Sequence, residues 1–170
     1  DASSISINSS TGVLTFDSAP NYESKTSYSI VVTANDGVAD TTQNITITIT
    51  NLNEAPSFSS SASFSAAENQ TTIGSVSVTD PENTTLSYSL SGTDASSLAV
   101  SSSGVLSFGS APNYESKNSY SATVAASDGT NSTTQDVTIS VTDVNDAPVA
   151  TAADYYLNLR PQAQTGGTIP

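Results

Sequence analysis

The stretch that decides the fold is Gln135-Asp136-Val137-Thr138-Ile139-Ser140-Val141-Thr142, in which every second residue is apolar. Successive side chains of a β-strand point to opposite faces, so this alternation predicts a strand with one buried face and one wet face. A near copy stands at Gln43–Thr50, where Ile45, Ile47 and Ile49 take the apolar positions. The same strand pattern therefore occurs twice in the chain.

Further segments around this stretch show the same period of two. Strands are predicted where apolar residues alternate at Tyr120–Ala126, Leu86–Leu90, Val76–Val78 and Phe58–Phe64. Turn pairs such as Asp80-Pro81 and Asp128-Gly129 separate them, and no segment shows helical spacing. About seven short strands in one unit of this size predict an all-β fold, a Greek-key sandwich of immunoglobulin type.

An internal repeat sets the domain organisation. Ser18–Lys25 recurs letter for letter as Ser110–Lys117, and Pro56 recurs as Pro148, which is 92 positions later. This period suits one sandwich per repeat. We therefore expect the C-terminal part of a repeat at residues 1–54, a complete repeat at 55–146, and the start of a following unit, or an unassigned tail, at 147–170.

The composition limits the chemistry. The 170 residues include 16 acidic and 3 basic side chains, giving a net charge of −13, and contain no Cys, Met, Trp or His. Without His and Cys, the usual nucleophilic triads, zinc fingers, and haem or iron–sulfur ligation are excluded. Oxygen ligands remain, and these suit Ca²⁺ or Mg²⁺. The acidity argues against a nucleic-acid partner, and there is no run of about 20 apolar residues to span a membrane.

Most carboxylates lie in turns and at the repeat boundaries, and few lie along the strands. Two unit charges 4 Å apart repel by about 4 kcal/mol at an effective dielectric constant of 20, so clustering them with almost no Lys or Arg nearby is costly. A divalent cation converts that cost into binding free energy. The alternative is an acidic surface that keeps the protein soluble, with Asp and Asn selected for turns. The paired spacing in both copies favours the metal.

Several motifs recur in one order. They are Gly-Val-Leu at 12–14 and 104–106, Pro-Asn-Tyr-Glu at 20–23 and 112–115, Asp-Gly at 36–37 and 128–129, and the linkers Asn-Leu-Asn-Glu-Ala-Pro at 51–56 and Asp-Val-Asn-Asp-Ala-Pro at 143–148. Together they resemble a cadherin repeat over residues 1–148. The composition, rich in Ser, Thr and Asn and without Cys, most resembles that of the cadherin-like repeats of large bacterial surface adhesins. The resemblance implies tandem β-sandwiches with Ca²⁺ held between successive domains.

The resemblance also implies which residues bind the metal, when it is carried over motif by motif. At the first junction they are Asn21, Glu23, Asn51, Asn53, Glu54, Glu68, Asp80, Glu82 and Asp128. At the second junction they are Asn113, Glu115, Asp143, Asn145 and Asp146. Asn or Glu replaces Asp at several family positions, including Asn21 and Asn51, so we expect fewer or weaker ions at the first junction than the family usually holds. The second linker, with Asp143 and Asp146, is expected to be stronger.

The expected function is structural and adhesive. Ca²⁺ would stiffen a segment of a cell-surface, extracellular repeat protein, whose partners are adjacent repeats of the same chain and possible further copies. The alternative function is a module that binds surface carbohydrate or a partner protein. An enzyme is not expected, because nothing in the sequence pairs Glu23 or Glu115 with a second carboxylate in a cleft, no aromatic platform surrounds them, and identical copies suggest a structural role.

The first repeat raises a separate question. Residues 1–53 contain only the later strands of a sandwich, and an unpaired edge would expose Ile, Val and Tyr side chains. Either the missing strands precede Asp1 in a longer chain, or another segment completes the sheet by strand addition. Tyr155–Leu159, in which Tyr155, Leu157 and Leu159 alternate, is a candidate for such a strand in a neighbouring copy. That strand-swapped arrangement would produce head-to-tail assembly.

Overall fold

The computed structural model describes residues 1–147, and their regular structure is β apart from two short 3-10 turns at Ala2–Ser4 and Ala95–Ser97. No helix among these residues is long and apolar enough to cross a membrane. The first repeat contains four strands, which are β1 (Ile5–Ile7), β2 (Leu14–Phe16), β3 (Ser27–Asn35) and β4 (Asp40–Thr48). They pair as two antiparallel hairpins, β1 with β2 and β3 with β4.

The second repeat contains nine strands. They are β5 (Ser57–Phe58), β6 (Ser63–Ala67), β7 (Thr72–Ser75), β8 (Val78–Thr79), β9 (Ser87–Ser91), β10 (Leu98–Val100), β11 (Val105–Phe108), β12 (Ser119–Ser127) and β13 (Ser132–Thr142). The four-stranded sheet has the order β6-β13-β12-β9, and the three-stranded sheet has the order β10-β11-β7. A small β5-β8 pair completes the repeat. The prediction of an all-β fold is confirmed.

The core lies between the two larger sheets of the second repeat. Val124 on β12 and Val137 and Ile139 on β13 point inward, with 0%, 1% and 0% of their surface exposed. Leu106 and Phe108 on β11 meet them from the other sheet. The intervening Ser and Thr side chains of β13 lie outside, as the period-two pattern predicted.

Two predicted strands are interrupted. The segment 58–64 forms two strands and not one, because β5 pairs with β8 while β6 pairs with β13 in the other sheet. The Val76–Val78 strand breaks at Val76, whose backbone N–H donates to the carbonyl of Gly104 at 2.9 Å. In both places the chain moves from one set of partners to another, which alternation along one strand cannot reveal.

One pairing matters most for the functional site. β6 runs parallel to β13, with Ala66 opposite Val141 and Ala67 opposite Thr142. Parallel strands end at the same edge of a sheet, so the residues that follow them emerge together. Glu68 and Asp143 are those residues.

In the first repeat, β1–β4 correspond to β10–β13, and residues 1–54 include no counterparts of β6, β7 or β9. Ile47 on β4 is therefore half-buried, whereas its copy Ile139 is covered by β6. Val31 on β3 is 58% exposed. The candidate donor strand Tyr155–Leu159 lies outside the described residues, so strand addition stays a prediction.

Candidate metal centres at the repeat junctions

The first cluster joins the two repeats. Glu23, Glu54 and Glu82 each place a carboxylate oxygen within 4.8 Å of the other two. Glu23 belongs to the turn between β2 and β3, Glu54 to the linker, and Glu82 to the turn between β8 and β9. Three separate parts of the chain therefore converge on one point, as a bridging site requires.

Local hydrogen bonds fix these carboxylates. The side-chain oxygen of Asn21 accepts from the backbone N–H of Ser24 at 2.7 Å, which shapes the turn that presents Glu23. The backbone N–H of Glu54 donates to Glu82 Oε2 at 3.3 Å, which ties the linker to the second repeat. Asn51 begins the linker and is exposed.

Two carboxylate oxygens at this junction are buried without a hydrogen-bond partner among the described residues. They are Asp80 Oδ2 and Glu82 Oε1. Asp80 is 8% exposed, and its other oxygen accepts from the backbone N–H and hydroxyl of Thr84 at 3.1 and 3.2 Å. A buried carboxylate oxygen without a donor is costly, and a cation would satisfy it. The donor set therefore fits a hard divalent cation.

The crowding of carboxylates also affects the pKa of Glu82. Burial raises the pKa of its carboxyl above the ordinary value, and the neighbouring Glu54 carboxyl raises it further. An opposite charge would reverse this effect, because it favours the ionised form. The first cluster is thus acidic and under-compensated within the described chain.

A clasp of three residues holds the linker against the β12–β13 turn. The Asn53 side chain donates to Asp128 Oδ2 at 2.8 Å, and the Asn131 side chain donates to the Asn53 carbonyl at 2.9 Å. Backbone N–H groups of Asn131 and Thr130, together with the Asn53 amide, lower the pKa of Asp128. Asn131 was not among the sequence candidates, because the repeat places Ala39 at its counterpart and so gives no signal.

The second cluster consists of Glu68, Glu115 and Asp143, whose carboxylate oxygens also lie within 4.8 Å of one another. Glu68 is only 2% exposed. Its oxygens accept from the backbone N–H groups of Tyr114 at 2.9 Å and Val144 at 2.8 Å. These two bonds lower the pKa of its carboxyl, so Glu68 is held as an anion.

The position of Glu68 corrects one expectation. The resemblance assigned it to the first junction, but the structure places it at the second, because parallel β6 and β13 end at the same edge. The other second-junction candidates lie in the turn and the linker. Asn113 accepts from the Ser116 N–H at 2.8 Å, and the Asn145 side chain donates to the Asp146 carbonyl at 3.3 Å. Asp146 accepts from Asn69, which the sequence had not suggested, at 3.4 Å.

Comparisons with known proteins agree with this architecture. Protocadherin gamma B2 extracellular cadherin domains 1–5 superpose with a TM-score of 0.63 and 28% identity over 84% of this chain and 32% of that one. The protocadherin gamma B7 EC3–6 cis-dimer structure gives 0.61 and 27% over 84% and 40%. Mouse cadherin-23 EC22–24, at 24% identity and a TM-score of 0.61, covers 83% of this chain and 50% of that one, and it supports the fold alone.

A curated relative comes from a bacterium. Chitinase A of Pseudoalteromonas piscicida is 39% identical over 75 residues, which span 43% of this chain and 9% of that enzyme. The chain therefore spans 9% of the length of chitinase A and 40% of that of the protocadherin gamma B7 structure. Residues 61–142 match the family model of the cadherin domain. Over these residues the chain is similar to cadherin domains, a family whose extracellular β-sandwich repeats characteristically bind calcium and act in adhesion.

Proposed function

We propose that this chain is a segment of a cell-surface adhesin in which Ca²⁺ bridges successive cadherin-type repeats, with the repeats meeting at residues 54/55 and 146/147. One observation carries the proposal. Glu23 of the first repeat, Glu54 of the linker and Glu82 of the second repeat converge within 4.8 Å. Asp80, two residues before Glu82, has a buried carboxylate oxygen with no hydrogen-bond partner among the described residues.

The proposed mechanism follows from charge. Without a cation, three carboxylates repel one another across the junction, which leaves the junction flexible. Ca²⁺ accepts several carboxylate and carbonyl oxygens and would pull the turn, the linker and the second repeat together. Extracellular modules bind Ca²⁺ with dissociation constants of about 0.1–1 mM. Calcium at about millimolar concentration outside the cell would therefore occupy at least half of such sites.

The Asn residues in the motif support a modest affinity. Asn21 and Asn113 stand at motif positions where the family resemblance implies Asp, and each already accepts a hydrogen bond within its own turn. A neutral amide contributes less charge to a cation site than a carboxylate does. We therefore infer weaker sites than a fully carboxylate set would form.

A site-resolved calcium titration tests the proposal. In the ¹⁵N spectrum of the full chain, the amides of Glu54 and Asn83 report the first junction, and those of Tyr114 and Val144 report the second. We expect saturable shifts at the first junction by about 10 mM Ca²⁺, and a longer, stiffer particle by X-ray scattering than in chelator. Glu54→Gln should suppress the first set of shifts. Glu115→Gln, the matched change at the other cluster, should leave that set intact.

One outcome of this titration would contradict the calcium bridge. If the amides of Glu54 and Asn83 do not move with calcium, and the scattering length is the same with chelator, the calcium bridge is wrong. The cluster of Glu23, Glu54 and Glu82 would then be acidic charge that no bound cation compensates.

The similarity to part of chitinase A favours a second candidate function. The repeat would then serve as a non-catalytic module of a secreted protein that contacts carbohydrate. Retention of the full chain on chitin beads with calcium present would support this function. No retention on chitin, combined with calcium-dependent stiffening, would leave the structural function.

A further inference from the structure

The two lysines among the described residues make the same set of contacts, although each lies in a different repeat. In the second repeat, Lys117 forms an ion pair with Asp94, and its ammonium lies 4.7 Å from the centre of the Tyr120 ring. In the first repeat, Lys25 forms an ion pair with Asp1, and its ammonium lies 4.8 Å from the centre of the Tyr28 ring. We call each arrangement a lysine staple.

Each staple is anchored on a strand. Asp94 is 9% exposed, and its second oxygen accepts from the backbone N–H of Ser121 on β12 at 2.9 Å. Tyr120 is itself fixed by an edge-to-face contact with Phe108, with ring centres 5.0 Å apart. The ammonium therefore meets a carboxylate and a ring whose positions are already set, which favours one orientation of the lysine.

The first repeat reproduces this geometry closely. The second oxygen of Asp1 accepts from the backbone N–H of Ser29 on β3 at 2.8 Å. Tyr28 packs edge-to-face on Phe16 at 4.9 Å. Two independent copies of the same contacts indicate that the arrangement is a built feature of the repeat.

The staple closes the turn that carries a cluster carboxylate. The backbone N–H of Lys25 donates to the carbonyl of Asn21 at 3.0 Å, so residues 21–25 form one compact turn with Glu23 inside it. The copy has the same bond from Lys117 to Asn113 at 3.0 Å, and Glu115 lies inside that turn. Fixing the lysine therefore fixes the end of the turn next to the carboxylate.

The charge of these lysines does not favour a cation in the neighbouring cluster. A positive charge two residues from a cluster carboxylate opposes the binding of a cation. We propose that Lys25 and Lys117 are positioning residues, which hold Glu23 and Glu115 in the orientation that the cation needs. This inference rests on the proposed calcium site and names the residues that tune it.

The test uses Lys25→Met and Lys117→Met in the full chain, with calcium titrations read from the amides of Glu54 and Val144. Met keeps the length and apolar stem of Lys but removes the charge. We expect Lys25→Met to weaken calcium binding at the first junction by about tenfold, the lower end of the loss seen when an outer partner of a metal ligand is removed. Lys117→Met should weaken calcium binding only at the second junction. Lys25→Arg, which keeps the ion pair and the ring contact, should restore most of the affinity.

The sign of the change separates positioning from simple charge. If Lys acts only through its charge, Lys25→Met should bind calcium equally or more tightly, and that result overturns the inference. If the wild-type amides do not respond to calcium at all, the proposed function fails and the inference fails with it. If Lys25→Met loses the amide signals of its strands in chelator, the lysine has a role in folding. In that case, failure of Lys25→Arg to recover calcium affinity would overturn the positioning role.

Discussion

Replacing Gly104 with Ala should destabilise the second repeat by more than its backbone angle alone explains. Gly104 has φ of +78°, and a Cβ atom built there would lie 2.9 Å from the carbonyl oxygen of Val76. The left-handed conformation costs an alanine about 1–2 kcal/mol, of which about 0.4–1 kcal/mol is regained because the unfolded chain loses freedom. Overpacking against a buried backbone adds about 1–3 kcal/mol. We therefore expect a total loss of about 1–5 kcal/mol, of which about 1–3 kcal/mol exceeds the cost of the backbone angle.

Gly129 provides the matched control within the same repeat. Its φ is +96°, and no heavy atom of the described residues, apart from Gly129 and its two chain neighbours, lies within 4 Å of the position where a Cβ would stand. Gly129→Ala should therefore cost only the conformational part, about 1 kcal/mol or less. Urea unfolding in chelator, followed through the amide signals of Val124 and Val137, measures both variants in one cooperative unit. Equal losses for the two variants would show that the Val76 contact is relieved without cost, which would refute the steric argument.

Three further predictions concern the core and the two acidic clusters. Leu106→Ala should lower the free energy of unfolding by about 3 kcal/mol, because Leu106 is 1% exposed, whereas Leu14→Ala at its half-buried copy should cost less; equal urea unfolding shifts would contradict the difference in packing. Because two backbone N–H groups lower the pKa of Glu68, its charge stabilises the fold above the ordinary glutamate pKa, and that stability is lost as pH falls through the lower folded value. Glu68→Gln should therefore reduce the fall in the free energy of unfolding at acid pH. An unchanged fall would count against the hydrogen bonds from the backbone N–H groups of Tyr114 and Val144. Because the pKa of Glu82 is raised above the ordinary glutamate value, the stability that this group contributes without calcium falls as pH rises from the ordinary value through the raised one. Calcium binding within that pH range should release protons. Calorimetry in buffers of different ionisation enthalpy should detect this release in the wild type but not in Glu82→Gln, and equal release in both would assign the proton to another group.

Local patterns predicted much of the fold. The alternation of Val137, Ile139 and Val141 corresponds to the buried face of β13, and its copy at Ile45 and Ile47 lies on β4. Where a strand changes partners, the same rule failed, as at Val76. Alternation reports which face is buried, and it carries no information about which strand lies alongside.

The candidate site divides in a similar way. The sequence predicted oxygen ligands at two repeat junctions, and the structure brings Glu23, Glu54 and Glu82 together at one of them. The family resemblance assigned Glu68 to the wrong junction, because the right assignment depends on the parallel pairing of β6 with β13, whose paired residues are 75 positions apart. Asn131 also escaped detection, since its contact with Asn53 spans 78 positions and has no repeat counterpart.

The internal repeat and the absence of His and Cys were enough to indicate tandem β-sandwiches with a hard-cation chemistry, because both properties are local or compositional. Tertiary structure alone decided which carboxylates share a cluster and which glycine meets a backbone oxygen. It also showed that each lysine closes a turn onto a distant aspartate, as Lys117 does with Asp94. The physical reason is that identical segments, such as Ser18–Lys25 and Ser110–Lys117, specify identical turns, whereas their burial and partners depend on the strands packed around them.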